Sequence, residues 1–124
     1  MNKVARILVP LFPTVALLGC GEQTVSYHTE VRPFLDKYCM HCHGEGGAGS
    51  KASGLRMDDY ESLMKGTVHG PVVKPGDSFT SAFVMLVEGR ADSSLLMPHD
   101  RDKVPTQAEI ESIKAWIDQG ARNN

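Results

Sequence analysis

The sequence lacks the features that mark several functional classes. It has no run of basic residues and no interleaving of basic and aromatic residues, which excludes the usual signature of nucleic-acid binding. The net charge is only −2, from 13 basic and 15 acidic residues. The apolar run over residues 7–18 is short and interrupted by Pro10 and Pro13, so it is a poor membrane span. The 124 residues contain no internal repeat and are enough for one small domain.

Cysteine is also scarce: the chain has three, and two of them stand in the segment Cys39-Met40-His41-Cys42-His43. Two cysteines three positions apart, followed at once by a histidine, are the attachment signature of a c-type haem. On a helical turn both sulfurs face the same way, and each can form a thioether with one vinyl group of a porphyrin. We therefore predict one covalently attached haem c, with Cys39 and Cys42 as its thioether residues and His43 as the proximal axial ligand of the iron.

The start of the chain predicts export. Lys3 and Arg6 precede the apolar run, and no acidic residue occurs before Glu22. A basic start followed by a short apolar core is typical of a secretory signal peptide. Haem is attached to such proteins outside the cytoplasm, so this signal agrees with the cysteine motif. We therefore expect the protein on the periplasmic side of a bacterial membrane.

The third cysteine, Cys20, predicts a lipid anchor. Residues 17–20 read Leu-Leu-Gly-Cys and resemble the lipobox of bacterial lipoproteins, in which the cysteine after the cleavage site becomes lipid-modified. We expect a lipoprotein-type signal peptide over 1–19, a polar tether over 20–26 and one domain over 27–124. An unpaired third cysteine in an exported chain needs a role, which favours lipidation. The alternative is an ordinary signal peptide and a soluble periplasmic protein in which Cys20 is an incidental thiol.

The domain reads as four short helices separated by loops rich in glycine and proline. Apolar residues at helical spacing lead into Cys42, and Thr106 and Glu109 form a capping box that opens the last helix. The apolar run over 83–87 could form a buried strand, but no second strand is available to pair with it. We therefore predict an all-α domain with helices over about 29–42, 59–65 and 79–87 and from 106 to Gly120, the first capped by Thr29 and the second stopped by Gly66.

The glycine-rich segment 44–51 invites comparison with a phosphate-binding loop. No apolar strand precedes it, and it lacks the GK[ST] ending which that motif requires. We therefore predict a flexible loop after the haem-binding histidine.

Together these motifs resemble a monohaem cytochrome c, and more narrowly the short planctomycete-type cytochrome c domains. The resemblance covers about residues 28–122, and its specific parts are CxxCH and the pair Met97-Pro98. It implies an all-α cytochrome c fold, about four short helices around one covalently attached haem, with the first and last helices crossing near the haem. Supporting segments are 31–35, 54–58 (Gly-Leu-Arg-Met-Asp), 73–77 (Val-Lys-Pro-Gly-Asp) and 116–121 (Trp-Ile-Asp-Gln-Gly-Ala).

The second axial ligand of the iron is predicted from loop position. Met97 lies in a loop well downstream of His43, where the chain can fold over the far haem face, and Pro98 restricts Met97 to extended backbone conformations. We therefore predict iron ligation by His43 and Met97. His99 could compete for the iron, although we expect it in solvent. The other methionines and histidines are expected to be core filler or surface residues rather than ligands: Met57, Met64, Met85, His28, His41 and His69.

Axial ligation also predicts the type of function. Iron with both axial positions filled has no vacancy for a substrate, so we predict an electron carrier and not an enzyme. Its partners would be redox proteins and, through Cys20, a membrane, with no small-molecule substrate. Three alternatives stay open: a haem enzyme or sensor (peroxidase-like or gas-binding) with an open distal site, a cytochrome subunit of a larger oxidoreductase, or a small zinc module. The zinc module would use Cys39, Cys42 and a neighbouring histidine, but a convincing second ligand pair is missing.

Overall fold

The computed structural model describes residues 23–100 and 102–124. The predicted signal peptide, Cys20 and the first part of the predicted tether lie outside the described residues. Six α-helices, with a π-helical turn before the first and a 3-10 turn before the last, account for the regular structure of the described part. The α-helices are α1 (Arg32–Tyr38), α2 (Met40–His43), α3 (Ala48–Ser53), α4 (Tyr60–Lys65), α5 (Ala82–Val87) and α6 (Gln107–Asp118), and the two turns are Tyr27–Val31 and Ser93–Leu95.

The all-α prediction is confirmed. Within the described ranges the only β-type pairing is an isolated bridge between Thr67 and Gly70. The apolar run over 83–87 lies in α5, so the helical interpretation was right for it. The helix begins at Ala82 rather than at the predicted residue 79, because Ser81 has an extended backbone and Phe79 lies exposed in the preceding turn.

The predicted first helix consists of three consecutive pieces. It opens with the π-helical turn, and the capping residue is Ser26 rather than Thr29: the Ser26 hydroxyl accepts a hydrogen bond from the Thr29 N–H. The helix is then interrupted at Cys39, whose φ of −119° departs from helical geometry. The interruption of the helix therefore falls at the first cysteine of the CxxCH motif.

The prediction of a flexible loop over 44–51 was wrong for its second half, which belongs to α3. Gly47 precedes this helix with an extended backbone, and Gly54 ends it in the left-handed region at φ 76°. Within it, the Ser50 hydroxyl donates to the carbonyl of Gly47 and also to that of Gly44. Glycines at both ends and serines bonded to the backbone thus build one short helix from a segment with little helix propensity.

The predicted stop at Gly66 and the predicted capping box of Thr106 and Glu109 are confirmed. Asp59 caps α4 by accepting from the Ser62 N–H at 2.7 Å, and Gly66 ends that helix at φ 81°. Thr106 and Glu109 form both hydrogen bonds of the capping box at the start of α6. Short-range cap chemistry therefore decides where these two helices begin.

The core forms where α6 packs against the turn Tyr27–Val31 and against α5. Trp116 is 1% exposed, and its indole N–H donates to the Arg122 carbonyl at 2.9 Å. Tyr27 lies against this indole, with ring centroids 5.8 Å apart. Most buried apolar residues outside the CxxCH motif join this single cluster: Val31, Phe34, Leu35, Leu55, Met57, Leu63, Val72, Val73, Phe83, Val84, Ile113, Ile117 and Ala121.

The two ends of the described chain are held together. Within the predicted tether, the Val25 N–H donates to the Gln119 side chain at 2.9 Å and the Ser26 hydroxyl donates to the Asn124 carbonyl at 2.7 Å. The Tyr27 N–H donates to the Asn124 side chain at 3.0 Å. Residues 25 and 26 therefore pack against the domain.

Across 23–100 and 102–124, every helix is too short or too polar to cross a bilayer.

Glu109 links α6 to α1. Its carboxylate accepts from the Tyr38 hydroxyl at 2.8 Å and forms an ion pair with Lys37 at 3.0 Å, besides its capping-box bonds with Thr106. The Thr106 backbone N–H and then the Lys37 ammonium lower the pKa of Glu109 to about 2. The ionised form is therefore favoured in the folded protein.

We predict that Glu109→Gln lowers stability at pH 7 by about 1 kcal/mol, because Gln retains the cap but loses the charge. Since the folded pKa lies below the unfolded value, Glu109 contributes its full stabilisation above about pH 4.5, and this is lost as the pH falls towards 2. Thermal unfolding of both proteins as a function of pH measures the difference. Glu111→Gln is the matched control on the same helix. An equal gap between wild type and E109Q at pH 7 and pH 2 would contradict the prediction.

Candidate cofactor site

The CxxCH motif forms one continuous hydrogen-bonded turn. The Cys39 N–H donates to the Leu35 carbonyl at 2.8 Å, which joins the motif to α1. The Cys39 carbonyl in turn accepts from the N–H groups of Cys42 at 3.1 Å and of His43 at 2.9 Å. Residues four apart lie on the same side of such a turn, so Cys39 and His43 share a face. The structure thus brings both cysteines and the histidine together, as the motif predicts.

Both cysteines of the motif are free thiols and lie partly exposed. Cys39 packs against the edge of the core, and this burial, with a smaller contribution from Cys42, raises the pKa of Cys39 to about 12. The Cys39 sulfur is therefore a neutral thiol at physiological pH. Two unoxidised thiols on one turn are what thioether formation requires.

The His43 ring is buried and oriented by a hydrogen bond. It is 8% exposed, and its Nδ1 lies 3.1 Å from the carbonyl oxygen of Leu55. A carbonyl oxygen can only accept, so Nδ1 carries the proton and the lone pair is left on Nε2. Such a bond to the outer nitrogen fixes the tautomer and orientation of a metal-binding histidine.

Gly49 lies close to the Cε1 and Nε2 atoms of the same ring. A Cβ atom at this position would stand 2.8 Å from the His43 Cε1 and 2.9 Å from Nε2, closer than such contacts allow. The first residues of α3 therefore approach the imidazole with backbone alone. The His43 ring is held between this helix and the Leu55 carbonyl.

These residues fit a covalently attached haem. The chain offers two free thiols for thioethers and an imidazole whose Nδ1 is hydrogen-bonded, so that Nε2 is the nitrogen for iron, all on one turn. In the ranges 23–100 and 102–124, by contrast, no group of three or more His, Cys, Asp or Glu side chains is placed to hold a metal ion.

The segment that carries Leu55 is fixed to α1. The Arg32 guanidinium donates to the carbonyls of Met57 at 2.8 Å and Asp58 at 2.6 Å. The Met57 N–H also donates to the His43 carbonyl at 2.9 Å. The chain after α3 is thus held both by α1 and by the motif itself, which restrains the position of the Leu55 carbonyl.

Met97 lies outside this group of contacts. It is partly exposed, and its N–H donates to the Leu86 carbonyl at 3.1 Å, which ties the loop before Pro98 to the end of α5. Its neighbour His99 is exposed. The geometry of the motif therefore leaves the second axial position to be assigned by experiment.

The remaining methionines and histidines lie where core and surface residues are expected. Met57 is 3% exposed within the core, and Met64 packs against the core from its edge. Met85 is partly buried on α5. His28, His41 and His69 are exposed.

Sequence reasoning missed the residues that hold His43. Leu55 acts through its backbone carbonyl, and Arg32 acts on carbonyls 25 and 26 residues away, so neither contact leaves a sequence signal. Gly49 was hidden in a segment interpreted as a flexible loop. Ser50 in that segment and Ser53 just after it were the available hint of local order, since serine bonds readily to nearby backbone.

Comparison with known proteins yields one match. A family model described as Planctomycete cytochrome C matches residues 39–100, half of the chain. The match begins at Cys39 and runs past Met97, so it includes the whole CxxCH motif, α3 and the loop with Pro98. No curated protein and no solved structure matches the chain. The chain therefore belongs to the planctomycete-type cytochrome c family, whose chemistry is haem-based electron transfer.

Proposed function

We propose that this protein is a lipid-anchored, periplasm-facing monohaem cytochrome c that carries single electrons between redox proteins. The observation that carries the proposal is the arrangement of the motif. Two free thiols share one turn with His43, whose Nδ1 is committed to the Leu55 carbonyl and whose Nε2 is left for iron. Family membership supplies the expectation of haem c.

Covalent attachment follows from the two thiols. Cys39 and Cys42 would each add across one vinyl group, so that the sulfur forms a C–S bond and the thiol hydrogen goes to the other vinyl carbon. His43 would bind the iron through Nε2 on the proximal side. Bound in this way, the haem supplies a one-electron couple of iron, and the protein sets its potential through the axial ligands and their hydrogen bonds.

Met97 is the proposed second axial ligand. A thioether stabilises ferrous iron relative to a second imidazole, which raises the reduction potential. Pro98 restrains the Met97 backbone, whereas the neighbouring His99 is exposed to solvent. With His43 and Met97 both bound, the iron has no open position for a substrate. The protein would then exchange electrons with other proteins and act as a carrier rather than an enzyme.

Location at a membrane rests on Cys20 and the segment before it. A lipid on Cys20 would anchor the domain on the periplasmic side, since each buried methylene contributes about 0.8 kcal/mol to membrane binding. Redox partners would meet the protein there.

Optical spectra of the purified protein, produced in a host with haem-attachment machinery, test the function. Sharp ferrous c-type bands and a weak far-red ferric band from methionine–iron bonding are expected. Rapid binding of cyanide by the ferric protein at neutral pH would favour the haem enzyme or sensor instead. A protein without haem from a competent host would contradict the proposal.

We predict that Cys39→Ser and Cys42→Ser each leave at most one thioether and reduce haem retention strongly. Haem staining after denaturing electrophoresis, together with the mass of the intact protein, measures the attachment. A Ser50→Ala protein keeps both thiols and serves as the control. Unchanged covalent haem in both cysteine variants would refute the proposed attachment.

Met97→Ala should lower the reduction potential, abolish the far-red ferric band and open the iron to added cyanide, because the thioether is lost. Redox titration and cyanide-binding kinetics measure these changes. Met64→Ala removes a partly buried methionine away from the loop and should leave all three readouts as in the wild type. If M97A behaves like M64A, another residue holds the second axial position.

Cys20→Ser should release the protein from membranes, because serine cannot carry the lipid. Membrane and soluble fractions of expressing cells are compared by immunoblot, and mass spectrometry of the wild-type amino terminus reports the acyl chains. Cys42→Ser retains Cys20, so it controls for the loss of a cysteine that is not the proposed lipidation site. Persistent membrane association of C20S would argue for an uncleaved or otherwise bound leader.

A further inference from the structure

The hydrogen bonds around His43 extend one step beyond Leu55. The Leu55 N–H donates to the Ser53 hydroxyl at 3.2 Å, and that hydroxyl donates to the Gly49 carbonyl at 2.8 Å. Leu55 then accepts from the His43 Nδ1 at 3.1 Å. One serine hydroxyl thus connects two backbone segments that contact the imidazole, at Gly49 and at Leu55.

Gly49 completes this arrangement by steric contact. A methyl group there would stand 2.8 Å from the His43 Cε1 and 3.0 Å from the Cys42 carbonyl oxygen. The ring cannot move aside freely, because its Nδ1, the atom next to Cε1, is hydrogen-bonded to the Leu55 carbonyl. Alanine would otherwise be the better helix residue by about 1 kcal/mol, so the glycine is explained by the ring and not by the helix.

The turn that contains Ser53 is itself held in place. The Ser53 carbonyl accepts from the Val68 N–H at 3.0 Å, and Gly54 follows at φ 76°. The Ser53 hydroxyl therefore has a defined position relative to both neighbours. A fixed hydroxyl restrains the Leu55 N–H, and through the Leu55 Cα it restrains the carbonyl that bonds to His43.

We propose that Gly49 and Ser53 are positioning residues that set the orientation and donor strength of the His43 imidazole, and thereby the reduction potential of the haem. A strong Nδ1–H···O=C bond makes the imidazole a better electron donor and favours ferric iron. Weakening that bond favours ferrous iron and raises the potential. The inference rests on the proposed function, because it requires His43 to be the axial ligand.

The test compares Ser53→Ala, Ser53→Thr and Gly49→Ala as haem-loaded proteins. S53A should raise the reduction potential, speed exchange of the His43 Nδ1 proton in NMR spectra, and shift the ferric electron paramagnetic resonance signal. S53T keeps the hydroxyl and should restore the wild-type values. G49A should shift the same signals by displacing the ring.

Ser50→Ala is the matched control. Ser50 lies in the same helix and its hydroxyl makes two backbone hydrogen bonds, to Gly44 and Gly47, but neither reaches Leu55. S50A should therefore lose thermal stability as S53A does while keeping the wild-type potential and proton exchange. A comparable potential shift in S50A would overturn the proposal in favour of a general loosening of α3.

The outcomes separate this inference from the proposed function. Wild-type protein without covalent haem, or without histidine ligation in its ferric spectrum, would overturn both. If the wild-type spectra are as expected but S53A and S53T have equal reduction potentials and equal His43 proton exchange, only the positioning role is overturned. If G49A does not fold, the serine pair still decides the result.

Discussion

The hydrogen bond from the His43 Nδ1 to the Leu55 carbonyl is the constraint on which the site depends. It requires a buried ring, a fixed tautomer and a backbone carbonyl, twelve residues further along the chain, that is held close to Nδ1. Three neighbouring elements hold this carbonyl in place. Arg32 of α1 donates to the Met57 carbonyl, and the His43 carbonyl of the motif accepts from the Met57 N–H. The Ser53 hydroxyl of α3 accepts from the Leu55 N–H. Much of the local architecture can thus be understood as support for the Leu55 carbonyl, whose bond to Nδ1 leaves Nε2 as the ring nitrogen for metal binding.

The helices that build this support are short. Among the helices of the described residues, only α6 reaches twelve residues, and helices of this length are marginal in isolation. Their stability comes from packing, chiefly around Trp116 and the turn Tyr27–Val31, and from contacts between chain ends such as that of Ser26 with Asn124. A chain of this size buries only about two-thirds of its unfolded surface, so a covalent haem would add substantially to the core.

Prediction from sequence worked where the signal was local. The capping box at Thr106 and the stop at Gly66 were predicted, because residue type and contacts a few residues apart decide each one. It failed for α3, where glycine content hid a helix that is stabilised by serine-to-backbone bonds and by its position against His43. The break at Cys39 was also missed, since the apolar spacing continues through it.

By itself, the sequence determined the class of this protein. CxxCH specifies which atoms can hold a haem, helical apolar spacing specifies an all-α domain, and both depend only on residue identity and short separations. Only the tertiary structure decided how His43 is oriented. Leu55 contributes the backbone carbonyl that accepts from Nδ1, and Gly49 allows the backbone to approach the ring because it has no side chain. Ser53 contributes a hydroxyl that bonds to the backbone of both residues. Contacts of this kind arise from the path of the chain, which residue spacing does not encode.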